Sequence, residues 1–241
     1  MPLPVKIDPC PIADTGFEVR FTPAMPPSAV FGIVYIALKN THPSEVEQLP
    51  ILQLPDSLLD QDPNLMYRPH HQISNDQFTV QIGPRILVIS SKSPYPGWDV
   101  VREEVTNCLK AIVDAGVIKT IERMGMRYVN LFVGDVTEQL TIKVSAPDDL
   151  KLGAKSMRVE VKHLDLLSSV GIHTEFSNAG ETKDQIGTVV DIDTYILLQL
   201  DPGAWGYADL LEQMHASEKS LFFSLLKPEL LNQLNPIYDE Q

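Results

Sequence analysis

Alternation of apolar and polar residues predicts β-strands at several points along this chain. The run 17–21 alternates strictly, and the runs 77–82 and 85–90, joined by Gly83 and Pro84, predict a β-hairpin. After residue 117 the same period recurs, with turn residues between the segments. These segments predict a series of strands at 120–133, 140–145, 156–164, 170–177 and 188–199.

Apolar residues at three- and four-residue spacing predict helices at three places. Ser28 can cap a helix over 29–39, and the clearest amphipathic helix begins at Trp98 and stops near Gly116. A third helical pattern covers 207–225, and Pro228 starts a short helix or turn through Leu234. Few helices intervene between the strands, which favours antiparallel pairing and the α+β class.

The sequence therefore predicts one α+β domain over 1–241, a largely antiparallel sheet packed by two or three helices. A turn and a tryptophan precede an amphipathic helix twice, at 95–98 and at 201–205. This repetition raises a second possibility, in which two pseudo-repeated halves, 15–117 and 118–236, wrap round one sheet.

The net charge of the chain limits the kinds of partner that it can bind. The 241 residues carry 19 Lys and Arg against 32 Asp and Glu, a net charge of −13. This excess argues against broad nucleic-acid or membrane-surface binding, because polyanions would be repelled. Residues 175–241 alone hold 3 bases and 12 acids, a net charge of −9. The last third is therefore predicted to present an acidic face to a basic protein partner.

The cysteines and the N-terminus indicate the compartment. Cys10 and Cys108 have no CxxC spacing, and two free thiols are typical of the reducing cytosol. The first residues lack the pattern of a signal peptide, and the longest apolar stretch, 29–38, is about half the length of a membrane helix. We predict a cytoplasmic protein without membrane contact.

No nucleotide-binding, hydrolase or zinc-protease motif occurs, so we predict no catalytic residue, no metal and no cofactor. Two of the predicted strands nevertheless each carry two polar side chains at alternate positions. These are His173 and Glu175 on one strand, and Asp191 and Asp193 on the next. If their strands are antiparallel neighbours, these four side chains converge and could hold a divalent cation. The favoured interpretation is the solvated face of a one-sided sheet.

The segment 123–130 is the most distinctive in the chain. Arg123, Gly125 and Arg127 share one face of a predicted strand, while Tyr128 and Asn130 share the other. A glycine in a strand marks a bulge or a close approach. The arginines either pair with Glu18 or Asp193 or bind an anionic group.

Two helical residues have alternative interpretations. His215 is either a partly buried histidine with a partner, which we favour, or a catalytic base. Cys108 is expected in the core.

Four short motifs occur in order: E-x-R-F from Glu18, Y-x-G-W from Tyr95, R-x-G-M-R-Y-x-N from Arg123 and D-x-D from Asp191. With these motifs the chain resembles, over residues 15–230, a sporadically distributed family of prokaryotic proteins of uncharacterised function. Met126 replaces the family's usual leucine. The resemblance implies no reaction, but sporadic distribution is typical of mobile or defence-related genes, including toxin–antitoxin pairs.

Three functional hypotheses follow. The favoured one is a non-enzymatic, acidic interaction protein, such as an antitoxin, immunity or defence factor with a protein partner. The alternative is a small-molecule-binding or enzymatic domain with a polar pocket between sheet and helices. The third is a homodimer formed through the wide apolar arc at 222–226 of the C-terminal helix. The candidate binding residues are Arg20, Arg127, Tyr128, Asn130, His173, Asp191, Asp193 and His215.

Overall fold

The computed structural model describes residues 2–55, 58–59, 62, 65–143, 154–174, 187–202 and 207–239. The strands are β1 Ile12–Pro23, β2 Glu47–Gln48, β3 His71–Ser74, β4 Phe78–Gly83, β5 Ile86–Ser91, β6 Ile118–Val133, β7 Ser156–His163, β8 Leu166–Thr174 and β9 Gly187–Leu200. The α-helices are α1 Pro27–Leu38, α2 Trp98–Asp114, α3 Tyr207–Leu225 and α4 Pro228–Gln233.

The strands form one antiparallel sheet of nine strands, in the order β2-β3-β4-β5-β1-β6-β9-β8-β7. The predicted α+β class is therefore confirmed. The predicted hairpin is β4–β5, in which Gly83 lies opposite Ile86, and β1 pairs with β5 with Phe17 opposite Ile89.

The chain divides into two compact units, each assembled from separate stretches. The N-terminal unit comprises residues 14–126 and 195–212, and the C-terminal unit comprises 1–13, 127–194 and 213–241. These boundaries differ from the halves 15–117 and 118–236, whose internal repetition stays a prediction. The second tryptophan of that repeat, Trp205, lies outside the described residues.

Alternation on β1 builds the core of the N-terminal unit. Phe17, Val19 and Phe21 are buried, which leaves the residues between them on the other, polar face of the strand. Helix α1 packs against α2 and β4, and its buried residues are Val30, Val34 and Leu38. Helix α2 buries an apolar stripe that includes Cys108, as expected.

Helices α3 and α4 supply much of the core of the C-terminal unit. Phe222, Leu225 and Leu226 are buried in one cluster with residues of β6, β8 and β9, and Leu221 and Phe223 pack against it. The apolar arc at 222–226, proposed as a dimer interface, is thus largely buried within the C-terminal unit. No described helix is both long and apolar enough to cross a membrane.

The predicted strand 140–145 is wrong for its described part. Residues 137–139 form a 3-10 turn, and Leu140 makes only an isolated bridge with Leu226. Asp135 explains the turn, because its side chain accepts hydrogen bonds from the backbone N–H and the hydroxyl of Thr137. The turn residues expected between the later strands, at 148–149, 153 and 178–180, lie outside the described residues.

Candidate functional site

Arg20 lies on the polar face of β1 and binds its neighbour Glu18. The Arg20 Nε donates to Glu18 Oε1 over 2.7 Å, and Arg123 of β6 donates to the same carboxylate oxygen. The Arg123 guanidinium also lies 4.4 Å from the ring centroid of Tyr195, within cation–π range. Pairing of Arg123 with Glu18 therefore matches the structural interpretation of this arginine.

Gly125 makes room for the same guanidinium. A Cβ built on Gly125 would lie only 2.9 Å from the Arg123 Cζ, so a larger residue would displace the arginine side chain. The close approach predicted for this glycine is present, and the approaching group is a side chain of its own strand.

A second carboxylate, that of Glu122, lies near Arg20 and is held by two hydroxyl groups. Its oxygens accept hydrogen bonds from the Thr22 hydroxyl and, over 2.5 Å, from the Tyr67 hydroxyl. Burial and the Glu122 carboxylate raise the pKa of Tyr67. Arg20 lies 5.0 Å from the Tyr67 ring centroid. The charged groups on this face thus contact one another, which fits the structural interpretation of the arginines.

Arg127 and Asp191 form the corresponding pair in the C-terminal unit. Two hydrogen bonds, of 2.7 and 2.8 Å, join the guanidinium to both oxygens of the Asp191 carboxylate. Such a bidentate pair fixes both side chains. Arg127 thus pairs with Asp191, which was not among the partners, Glu18 and Asp193, named for the arginines.

His173 is a neighbour of Asp191 across β8 and β9. A Cβ built on Gly171 would lie 3.2 Å from the His173 Nε2 and 3.7 Å from the Asp191 Cβ. His173 and Asp191 thus both lie beside Gly171, while Glu175 lies outside the described residues, so the convergence of the four side chains stays a prediction. His173 Nδ1 is 2.9 Å from the Ser156 hydroxyl, and the described residues show no metal-ligating cluster at this place.

Tyr128, Asn130 and His215 lie on the core side of the C-terminal unit. The Tyr128 hydroxyl is 3.3 Å from the His215 Nδ1, and the Asn130 amide donates to the Val190 carbonyl over 3.2 Å. His215 is half-buried with a partner, as favoured. Arg20 therefore belongs to the N-terminal unit, and the other seven candidates divide between two faces of the sheet in the C-terminal unit.

Sequence reasoning missed Glu218, the one acidic side chain that the described structure buries. Glu218 lies in the buried stripe of α3, four residues after Met214 and four before Phe222. Burial raises its pKa to about 8, so the carboxyl is protonated at neutral pH. Its spacing within the apolar stripe was a signal that could have revealed it.

A second missed cluster lies in the N-terminal unit, where α1, α2 and the β3–β4 turn meet. His42 is fully buried, and its Nε2 lies 3.1 Å from the Glu104 Oε1. The Cys108 thiol donates to the same oxygen over 3.3 Å. The hydrogen bond to His42 lowers the pKa of Glu104, while burial raises that of Cys108. The three ligand atoms all lie within 4.8 Å of one another.

A polar cavity of about 370 Å³ adjoins this cluster at Glu104. Asn75, Asp76 and Phe78 line it from the β3–β4 turn, and Glu103, Glu104 and Asn107 line it from α2. Asp76 and Glu103 are exposed, so the cavity has acidic walls in contact with solvent. None of the eight predicted binding residues lines it.

Comparison with protein-family models and with curated proteins gave no match to this chain. The resemblance to the sporadically distributed prokaryotic family stays a prediction from the four motifs.

Proposed function

We propose that this protein is a non-enzymatic interaction protein that binds a protein partner through helix α1. The observation that carries the proposal is the surface of this helix. None of its twelve residues is charged, yet only Val30, Val34 and Leu38 are buried. A helix that is apolar all round normally lies buried within protein or membrane.

The outer face of α1, defined as Ala29, Gly32, Ile33 and Ile36, lies opposite the buried stripe. Ile36 is 65% exposed, and a Cβ built on Gly32 would meet nothing within 4 Å. The helix is held in place on its flank, because Phe31 stacks on His71 of β3 with ring centroids 3.8 Å apart. An ordered apolar helix that remains exposed supports a protein-binding role.

The charge of the chain supports a basic partner. The N-terminal unit that carries α1 also exposes the carboxylates of Glu45, Asp76 and Glu103. In the acidic last third, Asp191 pairs with Arg127 and Glu212 with Arg102, and Glu218 is buried, whereas Asp201, Asp209, Glu229 and Asp239 are exposed. The exposed acids Asp76 and Glu103 beside the cavity lie in the same unit as α1, which supports a cationic partner surface there.

An antitoxin, immunity or defence factor is the finer form of this proposal. Its support is the resemblance of the four motifs to a family with sporadic distribution. Such a factor binds the product of an adjacent gene, so that product is the partner with which to begin.

The direct experiment compares two matched substitutions by isothermal titration calorimetry with that partner. Ile36→Asp places a charge on the outer face of α1, whereas Leu197→Asp changes a residue of equal exposure, 66%, in the same unit. Ile36→Asp is expected to weaken binding at least tenfold, because the charge would be desolvated at the interface. Leu197→Asp should leave the affinity unchanged, and equal effects of the two variants would contradict the proposal.

The alternative, a small-molecule-binding domain, is supported by the cavity between α2 and the β3–β4 turn. Its acidic, hydrogen-bonding walls suit a small cationic ligand.

A further inference from the structure

We propose that His42, Glu104 and Cys108 bind a divalent transition-metal ion of the zinc class, with one coordination position open toward the adjoining cavity. The inference is independent of the interaction function proposed for α1. It rests on the placement of three different ligand atoms and on the hydrogen bonds that orient them.

The distances between the ligand atoms suit a tetrahedral ion. Zinc bonds of about 2.0 Å to nitrogen and oxygen and about 2.3 Å to sulfur set the edges of the tetrahedron at about 3.3 Å for N···O and about 3.5 Å for S···O. The structure places His42 Nε2 3.1 Å and Cys108 Sγ 3.3 Å from the Glu104 Oε1. Two of the three edges thus match the tetrahedron to within a few tenths of an ångström, and the third, from His42 Nε2 to Cys108 Sγ, lies within 4.8 Å.

Thr41 orients the His42 ring for metal binding. The Thr41 hydroxyl donates its hydrogen to the Leu38 carbonyl over 3.0 Å, so its oxygen can accept from the His42 Nδ1, 3.1 Å away. When a metal ion replaces the proton of the hydrogen bond between His42 Nε2 and the Glu104 carboxylate, this acceptor keeps a ring proton on Nδ1 and leaves the Nε2 lone pair for the ion.

The fold presents these ligands on well-packed elements. Glu104 and Cys108 are four residues apart, so they share one face of α2. His42 follows the end of α1, where its backbone N–H binds the Leu38 carbonyl. Asn75 braces the group from the β3–β4 turn, because its amide donates to the Thr41 carbonyl over 3.2 Å.

The ligand set selects the ion. A thiolate, an imidazole and a carboxylate together suit Zn²⁺ and related first-row ions, whereas Ca²⁺ and Mg²⁺ require more ligands, all of them oxygen. Three protein ligands leave one position for water, and Glu104 is shared between the cluster and the cavity. Binding displaces the proton of the Cys108 thiol to solvent.

The test uses the full chain, stripped of metal with a chelator and titrated with Co²⁺ and then Zn²⁺. The wild type should bind one equivalent of Co²⁺ with a thiolate charge-transfer band in the near ultraviolet, and Zn²⁺ should abolish that band. Cys108→Ser should remove the band and weaken binding at least tenfold. Cys10→Ser, which changes the exposed cysteine, is the matched control and should behave like the wild type.

Zinc-edge X-ray absorption of the wild type keeps the proposal testable if Cys108→Ser fails to fold. One sulfur at about 2.3 Å with nitrogen or oxygen ligands at about 2.0 Å is the expected shell. A folded wild type that binds no Co²⁺ at millimolar concentration, a shell without sulfur, or a band lost with Cys10 and kept without Cys108 would each overturn the inference.

Discussion

Arg123 and Arg127 lie four residues apart on β6, and their guanidinium groups experience different solvent exposure. The Arg123 side chain is 10% exposed and shares the Glu18 carboxylate with Arg20, whereas the Arg127 side chain is 52% exposed in its pair with Asp191. Burial of one partner in an ion pair makes its removal costly, because the remaining charge loses its compensation. Solvent screens the exposed pair instead.

Substitution of each arginine by methionine should lower the free energy of unfolding by different amounts. Arg123→Met is expected to lower the free energy of unfolding by about 2 to 4 kcal/mol, because Glu18 loses a buried partner. Arg127→Met should lower it by less than about 1 kcal/mol. Urea denaturation of both variants measures the difference, and an equal loss would show that burial does not distinguish the two pairs.

At this scale the sequence reveals the kind of interaction but not always the partner. The same-face spacing of 123 and 127 predicted either ion pairing or the binding of an anionic group, and Glu18, one of the named partners, pairs with Arg123. Asp191 was not named as a partner, because the residue of β9 that lies opposite Arg127 depends on the register between strands. That register is not encoded in local spacing.

Helix α3 shows how an element can hold a polar group in its apolar stripe. Glu218 takes the position between Met214 and Phe222 at which a core residue is expected. Burial raises the pKa of its carboxyl to about 8 in the folded chain, against an ordinary value of 4.5. Between these values the unfolded chain ionises the group and the folded chain keeps it protonated, so stability falls as the pH rises.

Glu218→Gln should therefore flatten the dependence of stability on pH. From pH 4.5 to pH 8 the free energy of unfolding of the variant should rise relative to the wild type by about 3 to 5 kcal/mol. Denaturation at a series of pH values measures this change. Glu229→Gln, at an exposed position on α4, is the control, and parallel profiles for Glu218→Gln and the wild type would contradict the assigned burial.

Most elements could be predicted because their periods are local. The hairpin, the amphipathic helix from Trp98 and the late strands follow from alternation and helical spacing. The strand predicted from residue 140 failed because Asp135 starts a turn that apolar alternation does not reveal. Likewise, the apolar run of α1 shows that a helix forms, but not which of its faces stays exposed.

At the scale of the whole molecule, the cluster of His42, Glu104 and Cys108 and its adjoining cavity form where segments distant in the sequence meet. His42, Asn75 and Glu104 come from separate stretches of the chain, and no motif links them. The sequence therefore directed attention to the late strands, whose polar groups pair with one another. A charge count alone does not separate the exposed acids of the last third from its buried and paired ones, so the predicted acidic face stays a prediction.

The central claim is that α1 binds a protein partner, and thiol labelling tests it most directly. In a Cys10→Ser background, Ile36→Cys and Leu197→Cys each place one exposed thiol on the N-terminal unit, while Cys108 remains buried. With the adjacent gene's product bound, labelling at position 36 should slow at least tenfold and labelling at 197 should not change. Unchanged labelling at position 36 in a formed complex would contradict the claim.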